Sequence, residues 1–162
     1  MSSGSHADGA TPVHMNDRLD DQPFDRTEQT VLEVARRFFC SFARPQGQAW
    51  LTAFETSERA FGPGGAALAM RVVRMIEALR ASRTADFGFI NPECPCCSGR
   101  ITTEERYLIS ILHAVRRGHR SDALLYAMFV CGGANADALV EAVAALSRAL
   151  DMAGHAHTHA DT

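Results

Sequence analysis

Three of the chain's five cysteines, Cys94, Cys96 and Cys97, fall within a stretch of four residues. Cys94 and Cys97 form a C-x-x-C pair, and two thiolates at this spacing can occupy adjacent corners of a metal's coordination tetrahedron. Pro95 stiffens the turn between them, and the small residues that follow leave room for backbone amides to point at the sulfurs. This segment therefore predicts a thiolate site for a metal ion.

The order C-P-x-C-x-G resembles the half-site of a zinc ribbon, a likeness that covers these few residues and carries no family with it. A structural zinc needs about four ligands, and the chain has no second C-x-x-C pair. Because the two helices after this loop are predicted to form an antiparallel hairpin, Cys131 should return towards it. Cys94, Cys97 and Cys131 are thus three expected zinc ligands. The fourth is expected to be Cys96, despite the awkward geometry of adjacent cysteines, or else solvent or His113.

Other interpretations of the same cysteines stay open. Four cysteines would also suffice for an iron–sulfur cluster. A reactive thiol pair is a second alternative, because Arg100 favours a thiolate at Cys97, although the next predicted helix begins too far along the chain to help much. In a third, Cys96 and Cys131 are ordinary thiols and no metal binds. Cys40 is expected to be a small buried apolar residue.

The elements that position these residues are predicted to be helices. Asp25 with Glu28, and Thr102 with Glu105, each fit a capping box, in which the first residue caps the helix and the second reaches back to its amide. The sequence predicts an all-α fold: a compact bundle of five to six helices, with the cysteine-containing loop between the third and fourth main helices. Apolar residues at helical spacing place the helices at about 26–44, 48–59, 66–82, 103–117, 122–131 and 136–152.

The helical pattern sets the expected domain limits. Residues 1–23 are expected to be a disordered tail, residues 24–152 a single all-α domain, and residues 153–162 a flexible tail. That last segment contains three alternating histidines, namely His155, His157 and His159.

The fifth helix is expected to bury its large apolar side chains, which are Leu124, Leu125, Met128 and Phe129.

Composition narrows the function classes. All 16 Lys+Arg residues are arginine, which excludes Schiff-base lysine and P-loop lysine chemistry. The net charge of −3 gives no general attraction to nucleic acid or to anionic membranes. The sequence has neither an apolar run of membrane-spanning length nor a secretory signal. The cysteines are therefore expected to be reduced thiols or metal ligands in the cytoplasm.

Together these features predict a small cytoplasmic, non-enzymatic, metal-binding protein, with zinc as the expected ion. Its role would be regulatory or accessory, through contacts with another protein. One alternative is a thiol-based redox or metal sensor that uses the cysteine loop. The other is an enzyme with a catalytic zinc, for which the sequence offers only Glu93 or His113 as a nearby base.

Overall fold

The computed structural model describes residues 17–158, and the side chains of residues 17–154. Within these residues the fold is an all-α bundle, which confirms the predicted class. Two short strands pair antiparallel, β1 (Asp17–Arg18) with β2 (Arg100–Ile101). The six α-helices are α1 (Arg26–Ala43), α2 (Ala49–Phe61), α3 (Gly65–Ser82), α4 (Thr103–Arg116), α5 (Arg120–Cys131) and α6 (Ala136–Thr158).

Both predicted capping boxes are present. The Asp25 carboxylate accepts a hydrogen bond from the Glu28 amide at 2.9 Å, and the Glu28 carboxylate accepts from the Asp25 amide at the same distance. At the start of α4, the Glu105 amide donates to the Thr102 hydroxyl at 3.1 Å, and the Thr102 amide donates to the Glu105 carboxylate at 3.0 Å. These reciprocal bonds fix where α1 and α4 begin.

Regular secondary structure is present on both sides of residues 24–152. Residues 17–18 pair with the segment that follows the cysteines, and a single 3-10 turn then leads towards α1. At the other end, α6 continues to Thr158, beyond the expected end near residue 152. Residues 1–16 and 159–162, which include parts of both predicted tails, lie outside the described residues.

The helices pack in neighbouring pairs around one core. Helix α1 lies against α2, α2 against α3, and α3 against α6, while α4, α5 and α6 contact one another. No helix among residues 17–158 is long and apolar enough to cross a lipid bilayer. The core is built largely from fully buried aliphatic side chains, among them Leu32, Ile76, Leu79, Leu108, Ile109, Leu112, Leu139 and Leu146.

The buried face of α5 differs from the prediction. Leu125, Met128 and Phe129 are 48%, 46% and 54% exposed, so the expectation that they are core residues was wrong. The helix is apolar all round, and its small side chains face inward because they let it approach α4 and α6 closely. The larger side chains are left on the outer face. The buried residues of α5 are Ala123, Ala127, Val130 and Cys131.

Candidate metal centre

A buried ion pair stands at the base of the cysteine loop. Arg36 on α1 and Glu105 on α4 meet through two hydrogen bonds, Nε to Oε1 at 2.7 Å and Nη2 to Oε2 at 2.8 Å. The two side chains are only 4% and 0% exposed. This bidentate geometry is the strongest form of the arginine–carboxylate contact.

The same pair binds backbone on both sides of the cysteines. Arg36 donates to the carbonyl oxygens of Ser98 at 2.9 Å and Arg100 at 2.6 Å, after the cysteines. Glu105 accepts from the amide of Ile90 at 3.0 Å, before them. With the Thr102 amide already described, four backbone groups are therefore fixed by one ion pair.

Two further contacts close the loop. The Thr102 hydroxyl donates to the Gly88 carbonyl at 2.8 Å, which attaches the segment before the cysteines to the start of α4. The amide of Leu19 donates to the Gly99 carbonyl at 2.9 Å, next to the β1–β2 pair. The loop is thus attached to α1, to α4 and to the segment that precedes α1.

The cysteines lie on consecutive tight turns. The Cys94 amide donates to the Asn91 carbonyl at 3.2 Å. The Cys94 carbonyl then accepts from the amides of Cys97 at 3.1 Å and Ser98 at 2.9 Å. The Arg100 amide donates to the Cys97 carbonyl at 2.9 Å. This winding turns the side chains of the cysteines to the same side of the loop.

The three sulfur atoms are gathered at the surface. The Sγ of Cys96 lies 3.2 Å from that of Cys94 and 3.5 Å from that of Cys97, and all three lie within 4.8 Å of one another. A tetrahedral zinc with Zn–S bonds of about 2.3 Å requires sulfurs about 3.8 Å apart. Cys96 is exposed and the other two are half-buried. The cluster is therefore close enough to bind a metal ion.

The contacts within the cluster shift the pKa values of Cys94 and Cys97 in opposite directions. Hydrogen bonds from the thiols of Cys97 and Cys96, and then from their backbone amides, lower the pKa of Cys94 against the opposing effect of desolvation. Cys97 donates to that sulfur, and this raises the pKa of Cys97 to about 12. Of these two thiols, Cys94 therefore loses its proton more readily.

Cys131 does not join the other three cysteines. It is buried at the end of α5, close to Ser82, and its pKa is raised chiefly by desolvation. The hairpin does return as expected, but it meets the beginning of the loop rather than its cysteines, since Arg83 donates to the Val130 carbonyl at 2.7 Å. From there the chain leads away to the Arg36–Glu105 pair. Cys131 is thus separated from the cluster with which it was predicted to bind zinc.

The other candidate residues have different surroundings. His113, on α4, lies 3.1 Å from the Glu28 carboxylate and packs edge-on against Phe24, so its contacts are with residues at the start of α1. Cys40 is half-buried, with its sulfur 4.0 Å from Oδ1 of Asn91. Its pKa is raised by burial first and by the charge of Glu93 second.

Sequence reasoning missed the role of Arg36 and described Glu105 only as a capping residue. A signal was present, because Arg36 lies at helical spacing between Leu32 and Phe39, two apolar residues of the inward face of α1. A charged residue in such a position requires a buried partner.

Comparisons of the chain with family models, with curated proteins and with solved structures found no match.

Proposed function

We propose that this protein binds one zinc ion through Cys94, Cys96 and Cys97 and serves a non-enzymatic, regulatory or accessory role in the cytoplasm. The observation that carries the proposal is the grouping of three thiols within 4.8 Å on a firmly attached loop. Thiolate donors suit zinc among the common divalent ions. A reducing compartment keeps such thiols available.

The geometry favours a single ion over an iron–sulfur cluster. A cluster of the common types takes four cysteine ligands, and Cys131 lies apart from the group. One zinc ion needs fewer protein ligands, because solvent or another donor can take the fourth position.

The accessory role is supported by the outer face of α5. Three large apolar side chains there are about half exposed, although the opposite face of the helix is buried. Methionine and aromatic residues are enriched where proteins contact one another. We therefore favour a protein partner over a nucleic acid.

Metal analysis of matched variants tests the zinc assignment. The chain should first carry His155→Ala, His157→Ala and His159→Ala, so that the terminal histidines cannot supply metal. In that background we expect about one zinc per chain, and a cobalt-loaded form with the visible bands of a tetrahedral thiolate site. Replacing Cys94, Cys96 and Cys97 together by serine should remove both signals, whereas Cys40→Ser should keep them. Zinc retained by the triple variant would contradict the proposal.

A thiol redox sensor is the second candidate, favoured by the 3.2 Å separation of the Cys94 and Cys96 sulfurs. In such a sensor a peroxide would transfer one oxygen atom to the Cys94 thiolate and so form a sulfenic acid. The other oxygen of the peroxide would leave as water or as an alcohol. A neighbouring thiol would then displace water and form a disulfide. Mass spectrometry of the zinc-free protein after peroxide treatment tests this, with the loss of two hydrogens per disulfide as the expected result. An unchanged mass would exclude it.

A further inference from the structure

The cysteine loop is attached to the protein by contacts that involve no cysteine sulfur. The Arg36–Glu105 pair fixes backbone groups on both flanks, and the hydroxyl of Thr102 fixes Gly88. The β1–β2 pairing adds a further attachment at Arg100. A metal ion at the sulfurs would therefore be added to a loop whose path is already determined.

The sulfur cluster also leaves one side open. Among the residues that the structure describes, the group that could hold an ion contains three thiols and no further histidine, cysteine or carboxylate. The central thiol, Cys96, is exposed. A zinc ion held by three sulfurs keeps a fourth position that an outside ligand can reach.

From these two observations we propose that the ion is exchangeable cargo, passed to and from thiolate ligands that enter the open position. The inference rests on the proposed zinc binding. In each transfer an incoming thiolate first binds zinc at the open position. One Zn–S bond to the protein then breaks, and the released cysteine takes up a proton. Zinc stays divalent throughout, so no oxidant or reductant is needed.

An open position makes the release rate depend on the entering ligand, because the new bond forms before the old ones are lost. The test uses the zinc-loaded full chain, mixed with increasing amounts of glutathione or of a short peptide with a C-x-x-C pair. The fraction of the chain that still holds zinc is followed over time by native mass spectrometry. We expect about a tenfold faster release for a tenfold rise in either thiol. The peptide should also retain the zinc, as an acceptor protein would. Cys40→Ser is the matched control and should show the same rates.

The outcomes separate this inference from the function on which it rests. A chain that binds zinc but releases it at a rate independent of thiol concentration overturns the inference alone. If only the peptide accelerates release, the entering ligand is a protein thiolate, and if only glutathione does, it is a small thiol. A chain that binds no zinc overturns the proposed function as well.

Hydrogen exchange provides a second readout that does not depend on transfer. The amides of Ile90 and Thr102 are both bonded to Glu105. For each amide, the exchange rate in the zinc-free protein should lie within about threefold of its rate in the zinc-loaded protein. Exchange more than about tenfold faster without zinc would show that the ion holds the loop in place, and would overturn the proposal.

Discussion

Arg36 and Glu105, 69 residues apart in sequence, meet in a bidentate ion pair at 2.7 and 2.8 Å from which solvent is almost entirely excluded. Neither residue belongs to the sulfur cluster. Yet the pair determines where that cluster lies, because it binds the backbone before and after the cysteines. The position of the candidate site thus depends on a contact between α1 and α4.

Replacing Arg36 by methionine should lower the free energy of unfolding by about 3–5 kcal/mol, since it leaves the Glu105 carboxylate buried without its partner. Urea denaturation followed by circular dichroism measures this loss. Arg74→Met is the matched control, because Arg74 pairs at the surface with Glu77 at 3.2 Å, and it should cost about 0–1 kcal/mol. Equal losses in the two variants would contradict the importance given to the buried pair.

Cys94 should be alkylated before Cys97 in the zinc-free protein. Hydrogen bonds from the other two thiols lower its pKa, whereas that of Cys97 is raised to about 12. Brief treatment with iodoacetamide at about pH 7.5, followed by peptide mass mapping, should label Cys94 before Cys97 because only thiolates react quickly. Cys97→Ala removes one hydrogen-bond donor and should slow the labelling of Cys94. Faster labelling of Cys97 in the native protein would reverse the assignment.

Glu28 should make the protein less stable in acid. Burial raises the pKa of this carboxyl, but hydrogen bonds from His113, the Asp25 amide and Arg117 outweigh it, so the pKa lies below the ordinary 4.5. A carboxyl with a lowered pKa in the folded state stabilises the protein above its ordinary pKa. That contribution is lost as the pH falls through the lowered value.

The measurement is the urea midpoint between about pH 7 and pH 2. Glu28→Gln should destabilise the protein by about 1–3 kcal/mol at neutral pH and should reduce the decline in acid. The exposed Glu33→Gln variant should keep the decline of the parent. A Glu28→Gln variant with the full acid decline would show that other carboxyls cause it.

Helix α5 should tolerate changes on its outer face and resist them on its inner face. Leu125→Ala removes a side chain that is 48% exposed and should alter the free energy of unfolding by no more than about 1 kcal/mol. Ala127→Leu adds volume at a fully buried position and should cost about 1–3 kcal/mol. Thermal unfolding of the two variants measures both effects. A larger loss from Leu125→Ala would indicate the opposite orientation of the helix.

The parts of the fold that are coded locally could be predicted from sequence. The capping boxes at Asp25 and Thr102 were confirmed because each depends on residues three positions apart. The closeness of the three cysteines was expected for the same reason. Short-range spacing therefore predicted both the helix starts and the candidate ligands.

The remaining features depend on how distant segments meet. Cys131 was placed by the length of the α4–α5 hairpin, but the path of the loop between α3 and α4 decided which residues it faced. The orientation of α5 was ambiguous because apolar residues occur all round the helix. The Arg36 partner could not be found by spacing, since any acidic residue elsewhere in the chain was a possible match.

The Glu105 carboxylate makes three contacts at once: it completes the capping box of α4, forms the ion pair with Arg36 and accepts a hydrogen bond from the amide of Ile90. Aspartate is too short to reach all three groups, and glutamine has no charge, so glutamate is the residue that meets all three requirements while Arg36 is present. A substitution at Arg36 would likewise have to be accompanied by one at Glu105. Any natural relative that retains the cysteine loop should therefore carry an arginine and a glutamate at this separation, a pairwise signature by which distant relatives could be found.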